Sequence, residues 1–245
     1  MHSRTSWLTW VVLGVGVVLR VALTIVTPPE RAYDDHYEPV VHILEQHELP
    51  SAADCWECYQ PPAYYVVSAG FCSISEPLAA ALGVAPTEIE RIGRHTLQTV
   101  SLVAGCVTLW FCLLIFRRVL PDARHEALAL ALVAFLPRHI YMSAMATNDA
   151  FTYLVASAAI WAALRAHASH WQTKWCIAAG ALAGLAVLSK GYGWVTVVAL
   201  LLGVWWHTWI RSAVGVARSK PTISRPLAMI LCSALAVAVW PAARN

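Results

Sequence analysis

The chain has 245 residues, of which 59% are hydrophobic and only 13% are charged, with a formal net charge of +3. Soluble domains carry about 25% charged residues, so this composition excludes an ordinary soluble protein and indicates a membrane protein. The small net charge, without a basic stripe interleaved with aromatic residues, excludes nucleic acid as a partner.

The first apolar run, residues 7–27, is interrupted only by Arg20. It lacks a small-residue cleavage site and is too long for a signal peptide, so we predict a retained helix. In that helix Arg20 pairs with an acid or snorkels, and a functional role is the alternative. The stretch 63–83 is broken by Glu76 and Pro77, which predicts an interfacial or re-entrant segment. Apolar runs predict six further spans, near residues 96–116, 126–144, 149–166, 174–189, 192–210 and 226–241.

The pattern therefore predicts an all-α membrane protein, a helical bundle of about seven transmembrane helices forming one domain over residues 1–245. Basic residues concentrate in the segments that face inward if the N-terminus is cytoplasmic. The long first loop, residues 28–95, holds 11 of the 14 acidic residues and is predicted to lie on the outer, periplasmic or lumenal, side. A long loop among short ones usually carries function, so we expect the active site there.

An acidic pair, Asp34 and Asp35, occurs in this loop within "AYDDHYEP". The following Glu38-Pro39 predicts the start of an amphipathic helix over residues 38–48 that lies on the membrane. The pair either caps this helix or supplies a general base. The loop histidines share no single ligand face, so we favour solvated imidazoles over a metal site there, at His36, His42 and His47.

A second unusual stretch, "CWECYQPPAYY", covers residues 55–65. On the outer side of a membrane, Cys55 and Cys58 either form a local disulfide or stay a reducible pair. The two consecutive prolines predict an extended chain, and Tyr64-Tyr65 would then anchor it at the interface.

Polar and charged residues also mark the ends of the predicted spans. Arg91 and Arg94 lie where the loop re-enters the membrane, and they either anchor it or bind an anionic lipid headgroup. Asn148-Asp149 occupies a tight outer turn, where Asn148 could cap the next helix. Lys190 ends a helix on the outer side, where it would bind a phosphate or snorkel.

The order of these motifs resembles the front half of the GT-C superfamily of integral membrane glycosyltransferases. The nearest branch contains the dolichyl-phosphate-mannose protein mannosyltransferase-like and lipid A aminoarabinose transferase-like enzymes. Members of that branch usually continue with more spans, so we expect this chain to be a truncated copy, a fragment of an open reading frame or a short relative. The matching segments are Asp34-Asp35, Gln60-Pro61-Pro62-Ala63-Tyr64-Tyr65, Arg91 or Arg94, Ser143 through Asn148-Asp149, Gly184 through Lys190, and Trp240 through Asn245.

The resemblance implies that a sugar moves from a polyprenyl-phosphate-linked donor to an outer-face acceptor, a glycan, lipid or protein, with inversion. Asp35, slightly favoured over Asp34, would be the base. Some relatives use a divalent metal, and the sequence leaves that cofactor open. The residues implied to bind substrate are Arg91, Arg94, Lys190, Gln60, Tyr64, Asn148 and Asp149.

Two other functions compete with glycosyl transfer. A transporter would usually show internal repeats and polar groups at mid-membrane, whereas here the polar residues gather at one edge. A non-catalytic membrane subunit that binds lipid-linked sugar or a partner is the stronger alternative, because the chain is short for the family.

Overall fold

The computed structural model describes residues 6–31, 35–213 and 224–239. These residues form helices, turns and loops without a β-strand, which confirms the predicted all-α class. Short 3-10 turns occupy Pro29–Arg31 and Gly191–Gly193. The α-helices of the described residues are α1 (Trp7–Val26), α2 (Glu38–Gln46), α3 (Ala63–Ala81), α4 (Pro86–Val119), α5 (Ala123–Ala134), α6 (Pro137–Ser143), α7 (Asn148–Ala168), α8 (Thr173–Ser189), α9 (Trp194–Ala213) and α10 (Ser224–Val239).

Among the described residues, α1 and α4 are long and apolar enough to cross a membrane. Three more apolar helical stretches are shorter, at Thr173–Ser189, Gly191–His207 and Arg225–Val239. The count of seven spans therefore stays a prediction.

The chain divides into two compact units, Met1–Leu154 and Val155–Asn245, with α7 running from the first into the second. In the first unit, α1, α4 and α5 pack through a core of Val12, Leu109, Leu113, Leu130 and Ala134. In the second unit, alanine-rich faces of α7, α8 and α10 pack with apolar residues of α9.

The second unit contains a close helix approach that depends on two glycines one helical turn apart. A Cβ atom at Gly180 would collide with the backbone carbonyl of Ile230, and one at Gly184 would collide with that of Ala234. Such a Gly-x-x-x-Gly pattern lets helix backbones pack closely in membranes. "GALAG" in α8 therefore fixes its contact with α10.

The predicted third span, residues 126–144, is divided into α5 and α6. Pro137 begins α6 and has no amide proton with which to continue the α5 hydrogen-bond ladder. The carbonyls at the end of α5 consequently need partners from elsewhere.

Arg20 supplies one of those partners, and the prediction that it pairs with an acid or snorkels is wrong. Its side chain is fully buried. Nη1 donates to the carbonyls of Gly16 and Ala134, at 2.7 and 3.0 Å, and Nη2 lies 2.7 Å from Nδ1 of His139. Since a cation is favourable at a helix C-terminus, Arg20 stabilises the end of α5 and joins it to α6.

Replacing Arg20 by methionine is expected to destabilise the first unit. The carbonyl of Ala134 and Nδ1 of His139 would each lose a buried partner, at a cost of about 1–3 kcal/mol per group. Thermal unfolding in detergent measures the loss. Arg4→Met, a change outside the described residues, gives a charge-matched comparison, and equal midpoints for the two variants would contradict this role for Arg20.

The first loop folds into α2, α3 and the start of α4. The predicted helix start at Glu38 is confirmed, although α2 ends at Gln46 rather than residue 48. Residues 63–81 form one continuous helix with Pro77 inside it. Pro62 is helical rather than extended, and Tyr64 and Tyr65 are fully buried, so the prediction of an interfacial tyrosine anchor is wrong.

Candidate active site

The centre of the candidate site is a bidentate ion pair between Asp35 and Arg94. Asp35 follows the 3-10 turn at the start of the loop, and Arg94 lies in the third turn of α4. Nη1 and Nη2 of Arg94 donate to Oδ1 and Oδ2 of Asp35, each at 2.9 Å. Two parallel bonds fix the carboxylate in both position and orientation.

The guanidinium of Arg94 has a second acid and an aromatic ring as neighbours. Its Nε and Nη2 donate to Oε1 of Glu90 at 3.0 and 2.9 Å. Its Cζ lies 5.1 Å from the centroid of the Tyr37 ring, within the range of a cation–π contact. The Arg94 side chain is only 19% exposed, compared with 35% for Asp35. The carboxylate is therefore the more accessible partner.

Arg94 and the backbone of the loop control the charge of Asp35. Burial by itself would raise the pKa of Asp35, but the hydrogen bonds from Arg94 and from the amides of Tyr37 and Glu38 outweigh burial. They hold the pKa of Asp35 below its ordinary value of 3.8. Asp35 is thus ionised at neutral pH and can accept a proton only weakly while Arg94 binds it.

Tyr37 contacts both members of the ion pair and holds them in place. Its amide donates to Oδ1 of Asp35 at 3.0 Å, and its hydroxyl donates to Oε1 of Glu76 at 2.9 Å. The ring packs directly on Gly93, where any Cβ atom would collide with Tyr37 and with the Glu76 carboxylate. Glycine at this position therefore lets α4 approach the loop closely enough for Arg94 to reach Asp35.

A buried aromatic cluster packs around His36, the residue that follows Asp35. Nδ1 of His36 lies 2.8 Å from the Tyr65 hydroxyl, and the two rings stack with centroids 5.9 Å apart. Tyr64 packs edge-on against Tyr65 at 5.6 Å. The Tyr64 hydroxyl donates to the carbonyl of Leu97 at 3.1 Å and lies 3.2 Å from Oγ of Ser101. These rings tie the loop to α3 and α4.

Polar side chains of α4 also bind the turn that precedes α7. Nε2 of Gln98 donates to the carbonyls of Ala144 and Thr27, at 2.8 and 2.9 Å. Oγ of Ser101 donates to the carbonyl of Thr147 at 3.0 Å. Since these groups are buried, they fix the turn relative to the loop and α4.

The first two residues of α7, directly after this turn, are predicted site residues. Asn148 is fully buried, and its Nδ2 donates to Oε1 of Gln60 at 3.5 Å, the limit of a hydrogen bond. Asp149 is also buried and accepts from the Thr147 hydroxyl at 3.2 Å. The structure thus brings Gln60 of the loop to the start of α7.

The remaining predicted residues lie elsewhere. Arg91 is exposed, with its Nε 3.4 Å from Oε1 of Glu30 and its Nη1 3.7 Å from Oε2 of Glu88. Lys190 belongs to the second unit, where its Nζ lies 5.9 Å from the centroid of the Tyr192 ring. Asp34 and residues 240–245 lie outside the described residues. Among the described residues, Arg94 contacts Asp35 and Arg91 does not.

On a face of α4 different from that of Arg94, the first unit contains an apolar cavity of about 400 Å³. Phe71, Val103 and Leu154 contribute apolar surface, while His95, Thr96 and Thr99 add the few polar groups to its lining. The cavity is therefore suited to an apolar chain with a polar group at one end.

Neither a metal centre nor a free thiol pair is found in the described part of the loop. Cys55 and Cys58 are joined in a disulfide. No group of three or more metal-binding side chains occurs among the described residues, so a divalent cofactor stays an open prediction.

Several supporting residues were not singled out from the sequence. Gln98 and Ser101 follow Arg94 at intervals of four and seven residues, which places all three on one face of α4. That polar stripe at the start of an apolar helix is a signal that sequence reasoning could have used. Tyr37 and Glu76 carry no comparable pattern, because their contact joins residues 39 positions apart.

One known family matches a large part of the chain. No curated protein matches the chain. The family model for dolichyl-phosphate-mannose-protein mannosyltransferases matches residues 77–240, about two thirds of the chain. The match includes Arg94, Asn148, Asp149 and Lys190 and begins after the acidic pair. The chain therefore belongs to the dolichyl-phosphate-mannose-protein mannosyltransferase family, whose members are integral membrane glycosyltransferases of the GT-C type.

Proposed function

We propose that this protein transfers a sugar from a polyprenyl-phosphate-linked donor to an acceptor on the outer face of the membrane. The observation that carries the proposal is the Asp35–Arg94 pair, a carboxylate and a guanidinium held together in one unit by the loop and α4. Base and phosphate-binding cation are the two groups that such a transfer needs. Family membership supports the reaction class.

In the proposed reaction, Asp35 removes the proton of the acceptor hydroxyl or amine. The acceptor oxygen or nitrogen then forms a bond to the anomeric carbon, whose bond to the donor phosphate oxygen breaks, and the configuration inverts. The phosphate leaves with the bonding electron pair, and Arg94 stabilises that negative charge. The proton ends on the Asp35 carboxylate.

Arg94 would also control when Asp35 becomes an effective base. A donor phosphate is itself a bidentate acceptor for a guanidinium and would compete with Asp35 for Nη1 and Nη2. Once Arg94 moves to the phosphate, Asp35 loses the contacts that lower its pKa, so its affinity for a proton rises. Donor binding would thereby activate the base.

The other predicted residues receive roles within this proposal. Gln60 and Asn148, which meet across the loop and α7, would contact the sugar, with Asp149 beside them. Tyr64 is buried, so its contribution would be to position the loop rather than to touch the sugar. Lys190 would bind a phosphate or a lipid headgroup, whereas the exposed Arg91, paired with Glu30 and Glu88, would only anchor the loop where it enters the membrane.

Membrane placement follows the same proposal. The N-terminus lies on the cytoplasmic side, and residues 28–95 lie on the outer side with the site, as the distribution of charged residues predicts. Residues 1–245 supply the loop, the acidic pair and the phosphate-binding arginine of a single transmembrane catalytic domain.

Replacing Arg94 by lysine tests the proposal because it keeps the charge and removes the planar fork. We expect transfer from a polyprenyl-phosphate-linked mannose to fall about 10- to 100-fold, which corresponds to the loss of one charge-assisted hydrogen bond. The assay uses the longest native form of the protein in membranes, with turnover measured at saturating acceptor.

Arg91→Lys is the matched control, since Arg91 lies one turn earlier on α4 and is exposed. We expect its transfer rate to stay within a factor of two or so of the unmodified protein, because surface ion pairs contribute little. Equal rates for the two variants would argue against Arg94 as the phosphate ligand.

A further inference from the structure

Two histidines of the second unit face each other with their ring nitrogens almost in contact. His167 lies in the last turn of α7, and His207 lies in α9. Their Nε2 atoms are 3.1 Å apart, with ring centroids separated by 4.3 Å and the planes nearly perpendicular. The glycosyl-transfer reaction proposed for the first unit makes no use of this pair.

The separation of the two nitrogens fits a shared metal ion. Zinc binds imidazole nitrogen at about 2.0–2.1 Å, and two such ligands at roughly 100° around one ion have nitrogens about 3.1–3.2 Å apart. In the metal-free pair only one proton can lie between the two Nε2 atoms, so at least one lone pair points into the gap. The distance requirement of a two-histidine clamp is therefore met.

The surroundings leave room for the other ligands that an ion would need. A cavity of about 470 Å³ includes His167, His207 and Trp171 in its lining, together with apolar residues of α7 and α9. The contact between the two imidazoles is exposed, so water can reach both rings from outside the cavity. Water would complete the coordination shell, as it does at sites with few protein ligands.

The turn after α7 holds an indole ring against both imidazoles. Trp171 adopts the left-handed conformation, with φ 62°, directly after His170 at φ 52°. Such backbone angles are rare for bulky residues and persist only where packing holds them. The Trp171 ring lies 5.6 Å from His167 and 6.2 Å from His207. The imidazoles are therefore oriented by their neighbours.

We propose that His167 and His207 form a two-histidine site for a divalent transition-metal ion of the kind that favours imidazole, such as Zn²⁺, Ni²⁺ or Cu²⁺. On binding, the proton between the two Nε2 atoms moves to Nδ1 of the same ring or to solvent, and both nitrogens donate lone pairs to the ion. The ion would cross-link α7 to α9 and stabilise the second unit. Since only two protein ligands take part, the ion would exchange readily.

Thermal unfolding of the full chain in detergent, purified without a histidine tag, tests the site. At an ion concentration about a hundredfold above the dissociation constant, Ni²⁺ is expected to raise the unfolding midpoint by about 5–10 °C. Mg²⁺, which prefers oxygen ligands, is expected to leave the midpoint unchanged. The relevant quantity is the ion-induced increment, so a variant with altered basal stability remains informative.

His167→Asn and His207→Asn should each abolish the increment, while His170→Asn, in the same turn, should retain it. Cu²⁺ bound to the unmodified protein should show two nitrogen couplings by electron paramagnetic resonance, compared with one at most in either single variant. An increment that survives both substitutions, or spectra that do not change with them, would place the ion elsewhere and overturn the proposal. So would the absence of any increment.

Discussion

Replacing Asp35 by asparagine, together with Asp34→Asn, is expected to lower sugar transfer about 10²- to 10⁴-fold, the usual contribution of a general base. The amide has nearly the shape of the carboxylate, so the loop should keep its fold, but it cannot take the acceptor proton. Turnover of a polyprenyl-phosphate-linked sugar, measured on the longest native form, provides the readout. The single Asp35→Asn change should account for most of the loss.

Asp54→Asn is the matched control, because Asp54 lies in the same loop, where its Oδ2 accepts from the local amide of Ser51 and lies 3.9 Å from Nε2 of His42. Its transfer rate should stay close to that of the unmodified protein. Substantial activity in the doubly substituted protein would contradict the enzymatic proposal. It would favour the alternative in which the chain binds lipid-linked sugar or a partner without catalysis.

Gly93→Ala is expected to disrupt the same site through packing. The added methyl group would displace Tyr37 or Glu76, break their hydrogen bond and remove the ring that lies against Arg94. Overpacking of a buried contact costs about 1–3 kcal/mol of folding stability. Asp35 and Arg94 would also lose their alignment. We therefore expect the transfer rate to fall about 10-fold or more, because small misplacements of reacting groups slow a reaction strongly.

The control for this substitution is Gly70→Ala. Gly70 lies inside α3 with no atom within 4 Å of its would-be Cβ, so alanine there should be neutral or should stabilise the helix by about 0.5–1 kcal/mol. Unfolding midpoints and transfer rates of the two variants are compared directly. If Gly93→Ala behaved like Gly70→Ala, the close approach of α4 to the loop would not matter for the site.

Local sequence patterns predicted a large share of the helical framework. Long apolar runs predicted α1 and the body of α4, and Glu38-Pro39 predicted the start of α2, because these features depend on neighbouring residues. The same patterns failed at residues 126–144, where hydropathy suggests one span and Pro137 divides it. The predicted interfacial position of the tyrosines in "PPAYY" was also wrong. Their burial depends on partners far away in the sequence, such as Leu97 and Ser101.

Composition, hydrophobic period and turn residues were enough to predict the membrane class, the helical fold and the acidic segment around Asp35, because neighbouring residues encode each of them. Which arginine meets that carboxylate became clear from the packed fold alone. Arg91 and Arg94 are equivalent in the sequence. Because residue 93 is glycine, the Tyr37 ring packs directly on α4, and this packing brings Arg94 to Asp35. Contacts between residues 59 positions apart depend on how helices pack, and local sequence patterns do not specify that packing.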